Sequence, residues 1–226
     1  MQNVLKLIIP SLHFVKIHAS EIKPSMSKNE YKRGVATGFS GGIDSFCAIA
    51  DYYYSGKVPE GLRLTHLLFN NVGSHGSGEG GRVLYQKRYK KLKPLVESIG
   101  LPFIDVDSNV DFFYRGINFQ QTHTLRNASV GLLLQKGIKS YLYASAYSYA
   151  DIFLGPTSSM GYSDLITLPL LSTESLDLSS VGSEYTRVEK TLIVADITDS
   201  YKGLDVCLWD EKNCSSCAKC LRTLLT

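Results

Sequence analysis

Long apolar runs are missing from this sequence of 226 residues. The apolar stretch at residues 4–9 contains Lys6 and is followed by Pro10, so it is too short for a secretory signal or a membrane span. A strong excess of one charge is missing as well, because 24 Lys and Arg residues face 21 Asp and Glu residues. The net charge of +3 neither indicates nor excludes a nucleic-acid partner. We therefore expect a cytoplasmic protein that does not associate with membranes.

Cysteine is scarce except in one place. Four of the five cysteines lie in one C-terminal stretch, which is typical of a metal site rather than of a secreted disulfide framework. The fifth, Cys47, lies in a predicted helix and is expected to be a buried apolar residue. Internal repeats and low-complexity segments are absent, and a hydrophobic fraction of 44% is normal for a folded protein. The length fits one large α/β domain with a small appendage.

Strand-like and helix-like segments alternate from Arg33 onward. The pattern predicts strands at residues 35–39, 62–69, 103–106 and 140–146, and helices at residues 44–54, 83–98, 122–135 and 187–194. This alternation predicts a parallel sheet that is covered on both faces. The remaining predictions are one or two strands at residues 1–17, a linker at 20–32, an extended segment at 165–171 and a short strand at 206–209.

The most specific motif is Ser40-Gly41-Gly42-Ile43-Asp44-Ser45, between a predicted strand and a predicted helix. The glycines let the backbone approach a phosphate closely, and N–H groups at a helix start favour an anion. Ser40 and Ser45 add hydroxyl donors, and Asp44 is either the helix N-cap or a ligand for a phosphate-bound Mg²⁺. This loop is neither a Walker A loop nor G-x-G-x-x-G. The motif predicts a phosphate-binding loop; the alternative is an ordinary strand–turn–helix corner.

The C-terminal cysteines have the spacing C-x6-C-x2-C-x2-C and are Cys207, Cys214, Cys217 and Cys220. Four thiolates in this arrangement predict a tetrahedral Zn²⁺ site, whose negative charge Lys212, Lys219 and Arg222 would offset. An iron–sulfur cluster is the main alternative for C-x2-C-x2-C, and four free thiols are the other.

The loop at residues 40–45 resembles the SGGxDS signature of the PP-loop ATP pyrophosphatase superfamily. Taken with a C-terminal cysteine knuckle that is followed by Arg222, the chain most resembles the 7-cyano-7-deazaguanine synthases. The resemblance covers roughly residues 33–222 and implies an α/β fold with a doubly wound parallel sheet, like that of the adenine nucleotide alpha hydrolases. It also implies a small C-terminal zinc knuckle with four cysteine ligands and an ATP site at the carboxyl ends of the strands.

The same resemblance implies an AMP-forming ligase. ATP with Mg²⁺ would be split into AMP and pyrophosphate, and a carboxylate or carbonyl oxygen of a small deazapurine-like heterocycle would be activated for attack by ammonia. Ser40, Asp44, Ser45 and Lys190 would be catalytic, and Gly41 and Gly42 would contact the phosphates with them. The adenosine would lie near Asn70 and Asn71, and Arg187 would face the triphosphate beside Lys190, although both could instead belong to a solvated helix face.

Other segments permit two interpretations each. The glycine-rich stretch at residues 73–81, which includes His75, is expected to be either a lid over the nucleotide or a plain surface loop. The basic run at residues 87–93 is expected to be a solvated helix face, with an RNA contact as the minority view. His123 and Arg126 begin a helix and are candidates for the cleft.

The sequence predicts three regions: an N-terminal extension at 1–32, a PP-loop domain at 33–200 and a zinc knuckle at 201–226. The residues after Cys220 resemble an unfinished helix, as a truncated chain would show. PP-loop enzymes often form dimers, so a homodimer is an expectation. The alternative functions are tRNA thiolation by a PP-loop enzyme, and nucleotide binding without turnover in a module that acts with a partner.

Overall fold

The computed structural model describes residues 1–21, 34–207, 210 and 212–226. The predicted linker at 20–32 therefore lies almost wholly outside the described residues, as does the second half of the strand predicted at 206–209. Within the described residues, no helix is both long and apolar enough to cross a membrane.

A five-stranded parallel sheet forms the centre of the protein. Its strands are β1 (Gly34–Gly38), β2 (His66–Asn71), β3 (Phe103–Asp107), β4 (Ile138–Ala144) and β5 (Asp177–Val181). Their spatial order is β3-β2-β1-β4-β5, and every neighbouring pair is parallel. The chain winds from β1 outward to β3, then crosses back to continue through β4 and β5. The order reverses between β1 and β4, which is where ligand crevices open in sheets of this kind.

The described residues contain α-helices that connect or flank the strands. They are α1 (Gln2–Ile8), α2 (Ile43–Ile49), α3 (Gly78–Ile99), α4 (His123–Leu133), α5 (Asp164–Thr167), α6 (Arg187–Ala195), α7 (Ser200–Gly203) and α8 (Ala218–Leu224). A π-helical turn, Ala50–Tyr54, extends α2. A capping box between Thr186 and Glu189 starts α6, which sets the position of Arg187 at its first turn.

Helices cover both faces of the sheet. Val35 of β1 and Leu67 of β2 belong to one core cluster, which also contains residues of α2, α3 and α6. Ala36 and Leu68, each one position later, belong to a second cluster with residues of α4. Successive strand residues point to opposite faces, so one short strand contributes to both cores. This two-sided burial confirms the α/β class with a parallel sheet.

Three predictions of local structure are wrong. Residues 1–17 do not form strands, because Val4, Leu5 and Ile8 recur at helical spacing in α1 and pack in a small cluster with Met160. Residues 165–171 are not extended, because they belong to α5 and to a 3₁₀ turn at Pro169–Leu171. Val206 and Cys207 are not in a strand.

Candidate functional site

A cavity of about 480 Å³ opens at the carboxyl edge of the sheet. β1, β2 and β4 end at it, and Gly38, Asn70 and Tyr143 are among their lining residues. The loop that follows β1 forms one wall, the start of α4 forms another, and α6 and α8 close a third side. The cavity therefore lies beside the reversal of strand order between β1 and β4.

The glycine loop, residues 40–45, is the wall that follows β1. Ser40, Gly42, Asp44 and Ser45 all line the cavity. Gly41 has φ +75°, and a Cβ there would lie 2.9 Å from Leu92 Cδ2 and 3.0 Å from the Gly203 carbonyl oxygen. Only glycine combines that backbone conformation with so close an approach. The Ser45 hydroxyl donates to the Gly42 carbonyl at 2.9 Å, which fixes the turn into α2.

Asp44 holds two cations of α6 at the loop. Arg187 Nη2 lies 3.0 Å from Asp44 Oδ2, and Lys190 Nζ lies 3.3 Å from Asp44 Oδ1. Lys190 is only 2% exposed and also donates to the Ser145 carbonyl at 2.5 Å. Arg187 lines the cavity, whereas Lys190 does not line it but is buried against Asp44, which does. The pair is thus not a solvated helix face. A buried ammonium needs such partners, since an uncompensated charge is costly to bury.

Further cations line the same cavity from other elements. Arg88 comes from α3, and Lys219 and Arg222 come from α8. Desolvation by surrounding protein atoms lowers the pKa of Lys219. The charge of Asp44 raises this pKa, and the charges of Arg222, Arg187 and Arg88 lower it. The cavity therefore concentrates positive charge and has the electrostatics of an anion site.

The four C-terminal cysteines form one compact cluster. One sulfur from each of Cys207, Cys214, Cys217 and Cys220 lies within 4.8 Å of all the others. Tetrahedral zinc with bonds of about 2.3 Å requires sulfur separations of about 3.8 Å, so these residues fit a single ion. The Ser216 hydroxyl and the Cys217 amide each donate to Cys214 Sγ at 3.3 Å. Hydrogen bonds lower the pKa of the Cys214 thiol to about 6, and the bond from the Ser216 hydroxyl contributes most. The cluster is consistent with zinc.

A wall of neutral polar groups also lines the cavity. His123 Nδ1 lies 2.7 Å from the Tyr143 hydroxyl. Burial lowers the pKa of His123 to about 4, with a smaller contribution from the charge of Lys219, and burial raises the pKa of Tyr143. Both rings are therefore uncharged at neutral pH, and they stack with an interplanar angle of 14°.

Asn70 extends this polar wall to the end of β2. Its Nδ2 donates to Asn127 Oδ1 at 2.9 Å and to the Tyr141 hydroxyl at 3.3 Å. Its Oδ1 is buried and accepts no hydrogen bond within the described structure. A buried acceptor without a donor is costly, so an unpaired carbonyl beside a cavity suits an N–H group of a ligand.

Behind this wall lies a buried carboxyl group. Asp164 is 1% exposed, and its Oδ1 lies 2.6 Å from the Thr124 hydroxyl. Thr124 in turn lies 3.4 Å from His123 Nδ1. Burial raises the pKa of Asp164 to about 7, although the Thr124 hydrogen bond opposes the shift. The Thr124 hydroxyl therefore links the buried Asp164 to His123 at the cavity wall.

Several candidates from the sequence lie elsewhere than expected. Asn71 does not line the cavity, because its Nδ2 donates to Asp107 at 2.7 Å. Arg126 does not line this cavity but a second one; it is 1% exposed and pairs with Asp111 at 2.5 Å. The stretch at residues 73–81 is not loop throughout, because α3 begins at Gly78. His75 does line the cavity, with its ring beside Phe69.

The basic run on α3 is only partly a solvated face. Arg88 donates to the Cys207 carbonyl at 2.9 Å, and Lys91 pairs with Asp205 at 2.9 Å. These two contacts fasten the cysteine segment to α3. Sequence reasoning missed this role because five basic residues on one helix carry no signal that separates docking residues from solvated ones.

Other cavity residues were missed altogether. Asn127 and Tyr143 have no motif around them, and Asp205 lies just outside the cysteine motif; only the fold brings the three residues to the glycine loop. A partial signal exists for Asn127, since it lies four residues after His123 and so shares its helix face.

No protein-family model matches this chain. A search of curated proteins also finds no match. The function must therefore be inferred from the chemistry of the cavity and of the cysteine cluster.

Proposed function

We propose that the protein is an AMP-forming ligase of the PP-loop ATP pyrophosphatase type, similar to the 7-cyano-7-deazaguanine synthases. The observation that carries the proposal is the meeting of the 40–45 loop with Arg187 and Lys190 at the carboxyl edge of a parallel sheet. A glycine loop at a helix start, faced by two fixed cations, is suited to a polyphosphate.

The fold supports the same proposal. A sheet of order β3-β2-β1-β4-β5 with helices on both faces fits a doubly wound architecture like that of the adenine nucleotide alpha hydrolases. The four clustered thiols fit a zinc knuckle with four cysteine ligands at its C-terminal end. Reduced thiols suit the cytoplasm, which we propose as the location.

ATP with Mg²⁺ is the proposed first substrate. Residues 40–45 would hold its terminal phosphates, with the Ser40 and Ser45 hydroxyls as donors. Asp44 would hold Mg²⁺, which neutralises phosphate charge when bound. Lys190 and Arg187 would stabilise the charge on departing pyrophosphate. The unpaired Asn70 Oδ1 suits the amino group of the adenine ring.

The second substrate is proposed to be a small heterocycle with a carboxylate or carbonyl oxygen. Its planar ring would lie against the neutral wall of His123, Asn127 and Tyr143, which offers stacking surface and hydrogen bonds without charge. A deazapurine carboxylate has this combination of a flat ring and an oxygen nucleophile.

The proposed reaction has two displacement steps. The substrate oxygen forms a bond to the α-phosphorus of ATP, the bond to the bridging oxygen breaks, and pyrophosphate leaves. Ammonia then attacks the activated carbon, AMP leaves with the electrons of the C–O bond, and the nitrogen loses a proton. The residues of this chain orient the two substrates and exclude water between the charged and neutral walls.

The test is an assay with ATP labelled at the α-phosphate, run with ammonia and a panel of heterocyclic carboxylates. We expect labelled AMP to form together with an equal amount of unlabelled pyrophosphate, and only when an acceptor is present. Tight ATP binding with no AMP from any acceptor would replace the ligase with a nucleotide-binding module. AMP formed only with a tRNA and a sulfur donor would indicate thiolation.

A further inference from the structure

The cysteine segment and the glycine loop are directly joined. The Asp205 backbone N–H donates to the Gly41 carbonyl at 2.7 Å, two residues before the first cysteine of the cluster. Arg88 donates from the opposite side to the Cys207 carbonyl at 2.9 Å. The Asn213 side chain forms hydrogen bonds with the backbone on either side of Asp205. Its Oδ1 accepts from the Val206 amide at 2.9 Å, and its Nδ2 donates to the Leu204 carbonyl at 2.9 Å. The cluster is therefore anchored on the loop itself.

Helix α8 carries two of the cysteines and two of the cavity cations. Cys217 caps the helix, with its sulfur accepting from the Cys220 amide, and Cys220 lies within it. Lys219 and Arg222 of the same helix line the cavity. Among the described residues, neither cation is paired with a carboxylate. Both charges are therefore available to an anion that enters the cavity.

The position of α8 depends on the cluster. The helix has only seven residues, too few to be stable by itself in water. Its first turn is fixed to the rest of the protein through Cys217 and Cys220, whose sulfurs meet those of Cys207 and Cys214. An ion shared by the four sulfurs would make that attachment rigid, because metal binding to such a site is coupled to local folding.

We propose that the cysteine knuckle is a metal-dependent anion clamp, in which the bound ion fixes α8 so that Lys219 and Arg222 supply part of the cationic site for a polyphosphate. The inference rests on the proposed function, since it assigns these two residues to the same polyphosphate that the 40–45 loop would hold. The knuckle then has a binding role in addition to a structural one, and loss of the metal weakens anion affinity before any chemistry occurs.

The test measures the binding of ATP and of inorganic pyrophosphate by calorimetry, without turnover. Four samples of the full chain are compared: zinc-loaded, chelator-stripped, Lys219→Ala and Arg222→Ala. Each variant is expected to keep one zinc per chain and to bind both probes about tenfold more weakly, the change expected when one charge-assisted contact is lost. The stripped chain is expected to lose at least as much affinity as either variant.

Lys212→Ala is the matched control. Lys212 is exposed in the same knuckle but does not line the cavity, so its removal should leave zinc content and both affinities unchanged. Affinities that are indifferent to zinc, to Lys219 and to Arg222 would overturn the inference while leaving the proposed function in place. If the zinc-loaded wild-type chain binds neither probe, both the inference and the proposed function fail. The two variants remain decisive even if stripping unfolds the knuckle.

Discussion

Lys190 shows how a single residue joins the stability of this protein to its proposed chemistry. It is almost fully buried, and its ammonium group is held by Asp44 and by the Ser145 carbonyl. Asp44 serves as the internal counterion in the absence of a ligand. Under the proposed function, Asp44 would hold Mg²⁺ and Lys190 would face the phosphate chain.

Replacing Lys190 with Met should therefore abolish turnover. We expect the Lys190→Met variant to form AMP at least about 100-fold more slowly, because it lacks a cation placed to stabilise the leaving group. Steady-state AMP release measures the effect. Lys202→Met, at an exposed lysine that pairs with Asp199, is the control and should be unaffected. A rate within tenfold of wild type would remove Lys190 from the proposed catalytic set.

The buried carboxyl of Asp164 predicts a specific dependence of stability on pH. Its folded pKa of about 7 lies above the value of about 3.9 expected in an unfolded chain. Between these values the folded protein holds a proton that the unfolded chain has released. The contribution of Asp164 to the free energy of unfolding should therefore decrease as the pH rises from about 4 to about 7.

Asp164→Asn should flatten that part of the profile, because an amide does not titrate. Urea unfolding at several pH values from 5 to 8 measures the difference between the variant and the wild type. The neighbouring Thr124 hydroxyl and Tyr143 ring are uncharged in this range. Burial lowers the pKa of nearby His123 to about 4, and because His123 is present in both proteins, the difference between their profiles isolates Asp164. Parallel profiles for the two proteins would show that Asp164 is ionised throughout.

At the scale of elements, the turn at Gly41 is the most demanding piece of backbone. Gly41→Ala places a methyl group against Leu92 and the Gly203 carbonyl in a backbone conformation that L-residues avoid. We expect a loss of about 1–3 kcal/mol in the free energy of unfolding, measured by urea denaturation, together with weaker ATP binding.

The matched control for Gly41 is Gly80. It lies in α3, and a Cβ there would meet nothing within 4 Å. Gly80→Ala should be neutral or stabilising by up to about 1 kcal/mol, because alanine favours the helix. If the two substitutions change the free energy of unfolding equally, the turn at Gly41 accommodates a Cβ without strain.

Four of the five strands could be predicted from the sequence, whereas β5 and the N-terminal helix could not. The predicted bounds of β1, β3 and β4 lie within two residues of the observed ones. β2 was predicted to begin at residue 62 but begins at His66, because residues 60–62 form a 3₁₀ turn. β5 has the sequence Asp-Leu-Ser-Ser-Val, with too few apolar residues to indicate a strand. It is a strand because β4 offers it a parallel edge, with Leu142 opposite Ser179. Such tertiary pairing overrides local propensity.

The candidate site was predictable where one motif contained the information. The 40–45 loop and the four cysteines are local patterns, and α6 was predicted at its observed start. Asn70 and His123 were also candidates from the sequence, but Tyr143 was not, because the three residues come from three elements that only the strand order brings together. The roles proposed for these residues remain predictions.

At the scale of the whole molecule, we expect substitutions in the cysteine cluster to change the zinc content, and a substitution of the remaining cysteine, Cys47, to leave it unchanged. Elemental analysis is expected to find one zinc per chain, and Cys217→Ser should lose it and lower the thermal midpoint. Cys47→Ala should keep the zinc, because Cys47 is 1% exposed in the core of the sheet domain, and burial raises its pKa to about 12. Iron with acid-labile sulfide in the purified protein would replace zinc with an iron–sulfur cluster.

The hydrogen bond from Asp205 to Gly41 also bears on the order of events during synthesis. The glycine loop is translated early. The residue that hydrogen-bonds to it, Asp205, and two of the cavity cations, Lys219 and Arg222, are translated much later. A nascent chain thus carries the SGGxDS-like motif for more than half of its translation before the cavity is complete. Ribosome-bound chains halted at successive lengths should bind nucleotide only after residue 222 has emerged, so the nucleotide site would be assembled last although its signature is translated first.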